Sequence, residues 1–184
     1  MKNLILASLL VAPLSARAAD VVKLRASLRL AHAKAYAVSE LLLSVEKPYT
    51  IACKDEKAYT TLMMIDMTLI FALETKKSIG GVLAAASAGV ARDAAAHEIA
   101  LALVDELSAI PGSAAKIAEP AKRCAGFIRA KDDAATEAAP DGRDDMVWNA
   151  ARMHAGMNVS RLAQFSVVDE LKAARALAEK TKKP

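Results

Sequence analysis

Thr61-Leu-Met-Met-Ile-Asp-Met-Thr-Leu-Ile-Phe-Ala-Leu73 is the apolar block on which the reading of the fold turns, and Ser78–Ala91 is its companion. Glu74, Lys76 and Lys77 stand between the two, and Pro111-Gly112 closes the Tyr59–Ile110 stretch that holds them. As a helix the first block makes about three and a half turns. A spanning helix needs ~20 apolar residues, so neither block suffices alone. Joining them would place Glu74, Lys76 and Lys77 in hydrocarbon, at roughly 2.5–3.5 kcal/mol per charge. The blocks therefore predict two buried core helices with the rest of the chain packed around them, and no stable membrane insertion.

One residue of the first block is at odds with its surroundings. At about 100° per residue, Tyr59, Leu62, Leu69, Ile70 and Leu73 share a face, Thr61, Thr68 and Thr75 lie nearly opposite, and Asp66 sits with the leucines. An unpaired buried carboxylate is very costly, so Asp66 is read as a buried charge in an ion pair. Arg25, Arg29, His32 and His97 are the expected partners, and a ligand contact is the functional alternative. In the second block Gly81, Ala85 and Gly89 recur every four residues. They predict a smooth face packed closely on a bulky helix, such as one carrying Met63, Met67 and Phe71.

The amino terminus supplies an address. Met1-Lys2-Asn3 is followed by the apolar run Leu4–Ala12, then Pro13 and Ala16-Arg17-Ala18. A positive start, a short apolar core and a small-x-small end predict a secretory signal peptide over residues 1–18, with a helical domain over 19–184. Ala19 and not a cysteine stands directly after the cleavage point, which argues against a lipoprotein. The expected location is the periplasm of a Gram-negative bacterium. Removing Lys2 and Arg17 lowers the formal charge from +4 to +2. That balance, with aromatic residues at 4%, gives no basis for nucleic-acid binding.

Cys53 and Cys124 are the only cysteines, and in an oxidising compartment they predict one disulfide. A thiol ligand pair or a redox couple are the alternatives, but no Cys-x-x-Cys supports either.

Asp20 to Glu46 reads as one long helix, with Val21, Leu24, Leu28, Ala31, Ala35, Val38, Leu42 and Val45 three and four apart. Its polar side is basic until Glu40. Arg25, Arg29, His32 and Tyr36 would centre a docking strip for an acidic protein or anionic lipid headgroups, if that side is more than a solvated face. Pro48–Cys53 reads as a loop, and Asp55 as the cap of the helix through Lys77. A helix from Ser78 to Ala109 bends at Gly89, Pro111-Gly112-Ser113 turns, and Pro120 opens a helix to Ala139. On that helix Lys131, Asp132, Asp133 and Glu137 are expected to face water. Pro140-Asp-Gly-Arg143 is a loop. Asp144 or Asp145 opens a last helical region to about Lys180, with a kink near Gly156 or Asn158. Thr181–Pro184 should fray.

Chemistry is sparse. His32, His97 and His154 fall on separate predicted helices, and there is no Gly-x-Ser-x-Gly, His-Glu-x-x-His or Walker-type loop. No enzyme and no cofactor are expected. Met146, Met153 and Met157 stack three thioethers on one helical face beside His154, a donor set that would suit Cu(I). Methionine at this spacing is otherwise core filler. Cys124-Ala-Gly-Phe-Ile-Arg-Ala-Lys-Asp-Asp-Ala134 resembles the Cys-x-Gly-aromatic-Ile motif of a family of small periplasmic immunity proteins of type VI secretion. Ala130 stands where that family usually has Gly. The resemblance implies a helical, disulfide-bonded protein.

The sequence thus predicts an all-α, single-domain bundle of about five helices with one disulfide. Its expected role is to bind another macromolecule, a protein, as an inhibitor, immunity protein or secretion-system accessory. A copper or small-molecule module built on the Met/His face is the alternative.

Overall fold

The computed structural model describes residues 2–53, 58–87, 92–138 and 145–182, with side chains from Ala18 onward apart from Asp145. Five helices follow one another: α1 (Lys2–Ala52), α2 (Ala58–Ser87), α3 (Ala94–Ala138), α4 (Asp145–Leu162) and α5 (Val168–Thr181). No strand occurs among the described residues, and Cys53 is bridged to Cys124. The all-α class, the helix number and the disulfide agree with the sequence reading. No described helix is long and apolar enough to cross a membrane.

The helix boundaries differ, and packing explains why. Pro48 does not end α1, because Tyr49 and Ala52 continue beyond it the buried seam that Val45 carries before it. A proline inside a helix costs ~3 kcal/mol, and burial on both sides of it offsets that cost. Glu74, Lys76 and Lys77 do not separate two helices. They are good helix formers carried on one continuous α2 whose Leu73 and Ile79 stay buried. Pro111-Gly112 is not a turn, and Pro120 does not open a new helix. Leu107, Ile110, Ala114, Ile117, Ala121, Cys124 and Ile128 keep three- and four-residue spacing through both prolines.

The last region breaks after Leu162, not at Gly156 or Asn158. Thr181 is buried, not frayed: its hydroxyl donates to the Leu177 carbonyl at 2.8 Å. The bend at Gly89, the cap at Asp55, the loop 140–143 and the start at Asp144 lie outside the described residues, as do the side chains before Ala18.

The chain forms two compact units. The first comprises Met1–Ala35, Lys77–Ser108 and Val168–Pro184. Its apolar centre is built from Leu24 and Leu28 of α1, Ile79 and Leu83 of α2, Leu103 and Leu107 of α3, and Leu177 of α5. Asp93 ties these pieces together. Its carboxylate accepts the Ala96 amide at 2.8 Å, capping α3, and takes Arg25 Nε and Nη2 at 2.8 and 2.6 Å. Its own amide donates to the Thr181 carbonyl at 3.1 Å. Nearby, His97 Nδ1–H donates to the Ala178 carbonyl at 2.8 Å, which fixes the tautomer and satisfies a carbonyl of the last α5 turn. Asp93→Ala is expected to cost about 1–2 kcal/mol from the lost cap alone. Asp93→Asn keeps a capping oxygen and should cost less, a difference thermal unfolding resolves.

The second unit comprises Tyr36–Lys76 and Ala109–Val167. Leu42, Leu62, Leu69, Ile110, Ile117 and Ile128 lie at its centre, and the Cys53–Cys124 bridge joins the end of α1 to α3. The glycine face expected to seat a bulky helix does not do so in α2. A Cβ at Gly80 or Gly81 would meet nothing within 4 Å, and Gly81, Ala84 and Ala85 are exposed.

Candidate functional site

Within the second unit, α2 and α4 run side by side in the same direction. Tyr59 meets His154, the Leu62 carbonyl meets Asn158, and Asp66 meets Arg161, so the contacts advance together along both helices. Asp66 is 4% exposed and sits at the centre. Arg161 Nε donates to its Oδ1 at 2.7 Å and Nη2 to its Oδ2 at 3.2 Å. This two-pronged pairing is the strong form of an Arg–carboxylate contact. It holds the Arg161 guanidinium above its ordinary pKa, through the hydrogen bonds first, with partial burial opposing. His154 Nδ1 lies 3.6 Å from Asp66 Oδ2, and its ring stacks obliquely on Tyr59 at 5.6 Å between centroids.

Two further groups complete the cluster. Asn158 Nδ2 donates to the Leu62 carbonyl at 3.2 Å. Tyr49 of α1 is buried, and that burial pushes its phenol pKa up, with Asn158 opposing and the Asp66 charge adding. Tyr49 Oη, Asn158 Oδ1 and His154 Nδ1 are buried without a hydrogen-bond partner of good geometry among the described residues. Chemically the cluster is a lock: one carboxylate, saturated by a guanidinium, fixes the register of α2 on α4. Both cysteines are consumed in the disulfide, so neither is a nucleophile for His154.

The expectation of an ion pair at Asp66 holds, but its partners are corrected. They are Arg161 and His154 of α4; Arg25 and His97 are engaged elsewhere, with Asp93 and the Ala178 carbonyl. A second correction concerns Asp132, expected in water. It is buried and bonded by Arg152 Nη1 at 2.8 Å, which also reaches Asp133 at 3.2 Å.

The residues of the expected docking strip on α1 are differently placed. Arg25 is committed to Asp93, Arg29 is exposed and His32 is half-buried. Tyr36 is exposed and opens the second unit. Of the expected copper ligands, Met146 and Met153 are exposed and not core filler, at 75% and 54%. Met157 Sδ lies 4.0 Å from the Arg161 guanidinium, and His154 faces Asp66. Among the described residues no group of three or more His, Cys, Asp and Glu is placed to hold a metal ion.

Sequence reasoning missed the outer face of these two helices. Met64, Met67 and Phe71 project from α2 at 64%, 63% and 64% exposure, opposite its buried Leu62, Ile65 and Leu69. On α4 the exposed Met146 and Met153 lie opposite the buried Ala151, Ala155 and Leu162. Helical rotation of about 100° per residue puts both stripes on the side of the α2–α4 pair away from the core. Half-buried Met63, Ile70 and Met157 lie between them. The available signal was that α2 is apolar nearly all round, more than one core can cover.

Compared with known proteins, the chain matches no family model, no curated protein and no solved structure. The resemblance carried by Cys124–Ala134 therefore rests on those residues alone.

Proposed function

We propose that this chain is an exported, non-enzymatic helical module that works in the periplasm and holds another protein on the outer α2–α4 face of its second unit. The observation that carries the reading is the Met64, Met67 and Phe71 stripe, each side chain about two-thirds exposed. Scattered apolar residues on a surface are ordinary. A stripe at i, i+3 and i+7 is the pattern of a helix face that packs on another helix. With Met146 and Met153 it offers apolar surface on the order of a few hundred Å², the size that marks interaction sites. Methionine is unbranched and polarizable, so such a face adapts to the partner it covers. Arg161 contributes no net charge to it, because Asp66 neutralises the guanidinium. The partner chemistry that fits is the apolar ridge of an amphipathic helix. Inhibition, immunity or service in a secretion assembly are roles such a contact could fill.

Placing a photo-crosslinking residue at Met67, at Phe71 and, as a control, at the exposed Lys116 tests this in the living envelope. Adducts to one heavier partner are expected from Met67 and Phe71 and not from Lys116, and Phe71→Glu should abolish the Met67 adduct while leaving the circular dichroism unchanged. Adducts only between two copies of this chain, or equal yields at all three positions, would refute the reading.

A further inference from the structure

Beside the disulfide, the second unit has a groove of about 250 Å³ between the end of α1 and the middle of α3. Tyr49, Pro120, Phe127 and the Cys53–Cys124 bridge give it apolar walls, and Arg123 stands at its edge. An engineered apolar cavity of about 150 Å³ takes up benzene, so this groove has room for one aromatic ring and a short tail.

Arg123 is the one charged residue among the described residues that line the groove. Arg123, Phe127 and Lys131 fall four residues apart along α3, and Lys131 Nζ stands 5.7 Å from the centre of the Phe127 ring. Glu119, one turn before Arg123, feels its charge but is already bonded to Lys122 at 3.0 Å. Neither Arg123 nor Lys131 forms an ion pair or side-chain hydrogen bond among the described residues. A ring slot with an unspent guanidinium at its rim has the two halves of a receptor for an aromatic acid.

We infer that this groove binds a small free aromatic carboxylate, with the ring on Phe127 and over the disulfide and the carboxylate on Arg123. The inference does not depend on the α2–α4 face. For a ligand this small and a site this open, the dissociation constant should be on the order of 1 mM.

Ligand-observed NMR titration of the intact oxidised protein with 3-phenylpropionate tests it, with 3-phenylpropionamide and acetyl-Ala-Phe as the other arms. The acid should bind at least tenfold more tightly than the amide. Arg123→Gln, an exposed position whose change leaves the fold intact, should bring the acid down to the amide's level, and Lys131→Gln should weaken it about twofold. No saturable binding to about 20 mM, equal binding of acid and amide, or an unchanged affinity in Arg123→Gln would overturn the proposal. Tenfold tighter binding of acetyl-Ala-Phe would also overturn it, by assigning the groove to a peptide terminus.

Discussion

Arg161→Met should lower the folding free energy by about 3 kcal/mol, the low end of the cost of stripping one partner from a buried ion pair. For a chain of this length that is a fall in melting temperature of roughly 6–12 °C. The expectation follows from an asymmetry in burial. The Asp66 side chain is 5% exposed and that of Arg161 24%. Removing the guanidinium leaves a carboxylate that water cannot reach, with only His154 nearby at 3.6 Å. Removing the carboxylate leaves a cation on a long stem that can turn outward. Asp66→Asn should therefore cost less, about 1–2 kcal/mol. Asp66→Leu combined with Arg161→Met should recover most of the loss, because an apolar pair of similar volume has no charge to desolvate. Urea unfolding of the wild type, both single variants and the double variant gives the cycle. Equal costs for the two single changes, or no recovery in the double, would mean that the pair does not behave as a buried lock.

That lock was half legible in the sequence, and the division is instructive. Asp66 declares itself because its position along α2 is fixed by local periodicity: a carboxylate on a leucine face needs a partner wherever the helix goes. The partner is a non-local fact. Arg161 becomes available only because α4 lies alongside α2 in register, which no local pattern specifies. A signal did exist in His154, Asn158 and Arg161, spaced four and three apart so that three polar groups share one face of α4. It was masked by the methionines. Met146, Met153 and Met157 carry the apolar signal by composition, and it points to the wrong side of the helix. In the structure its buried side is the less conspicuous Ala151, Ala155 and Leu162.

The prolines misled for a related reason. Proline acts locally with a cost of about 3 kcal/mol, yet the buried seam of α3 runs on either side of Pro111 and Pro120 and outweighs it. Helix class and disulfide pairing were legible because periodicity and cysteine count are properties of the sequence itself. Which face points inward is settled by how many helices compete for one core.

Replacing Cys53 and Cys124 together by alanine is the other change expected to have a large effect. The bridge joins residues 71 apart in sequence. In the chain-entropy model, closing a loop of that length stabilises by about 4 kcal/mol, because the unfolded chain loses conformations it would otherwise explore. The melting temperature should fall by roughly 8–16 °C, and the oxidised protein should show the same fall when a reductant is added. The loss should be localised. Both cysteines belong to the second unit, so amide protection should drop along Tyr36–Cys53 and Ala109–Ile128 more than along Lys77–Ser108. Hydrogen exchange read by mass spectrometry reports each of these stretches. A uniform loss of protection would mean that the bridge stabilises the whole chain through its unfolded state alone. A selective loss would show that it also holds the end of α1 against α3 in the folded protein. In a reducing compartment the same chain would lack this contribution, which is the physical reason to expect the bridge and export to go together.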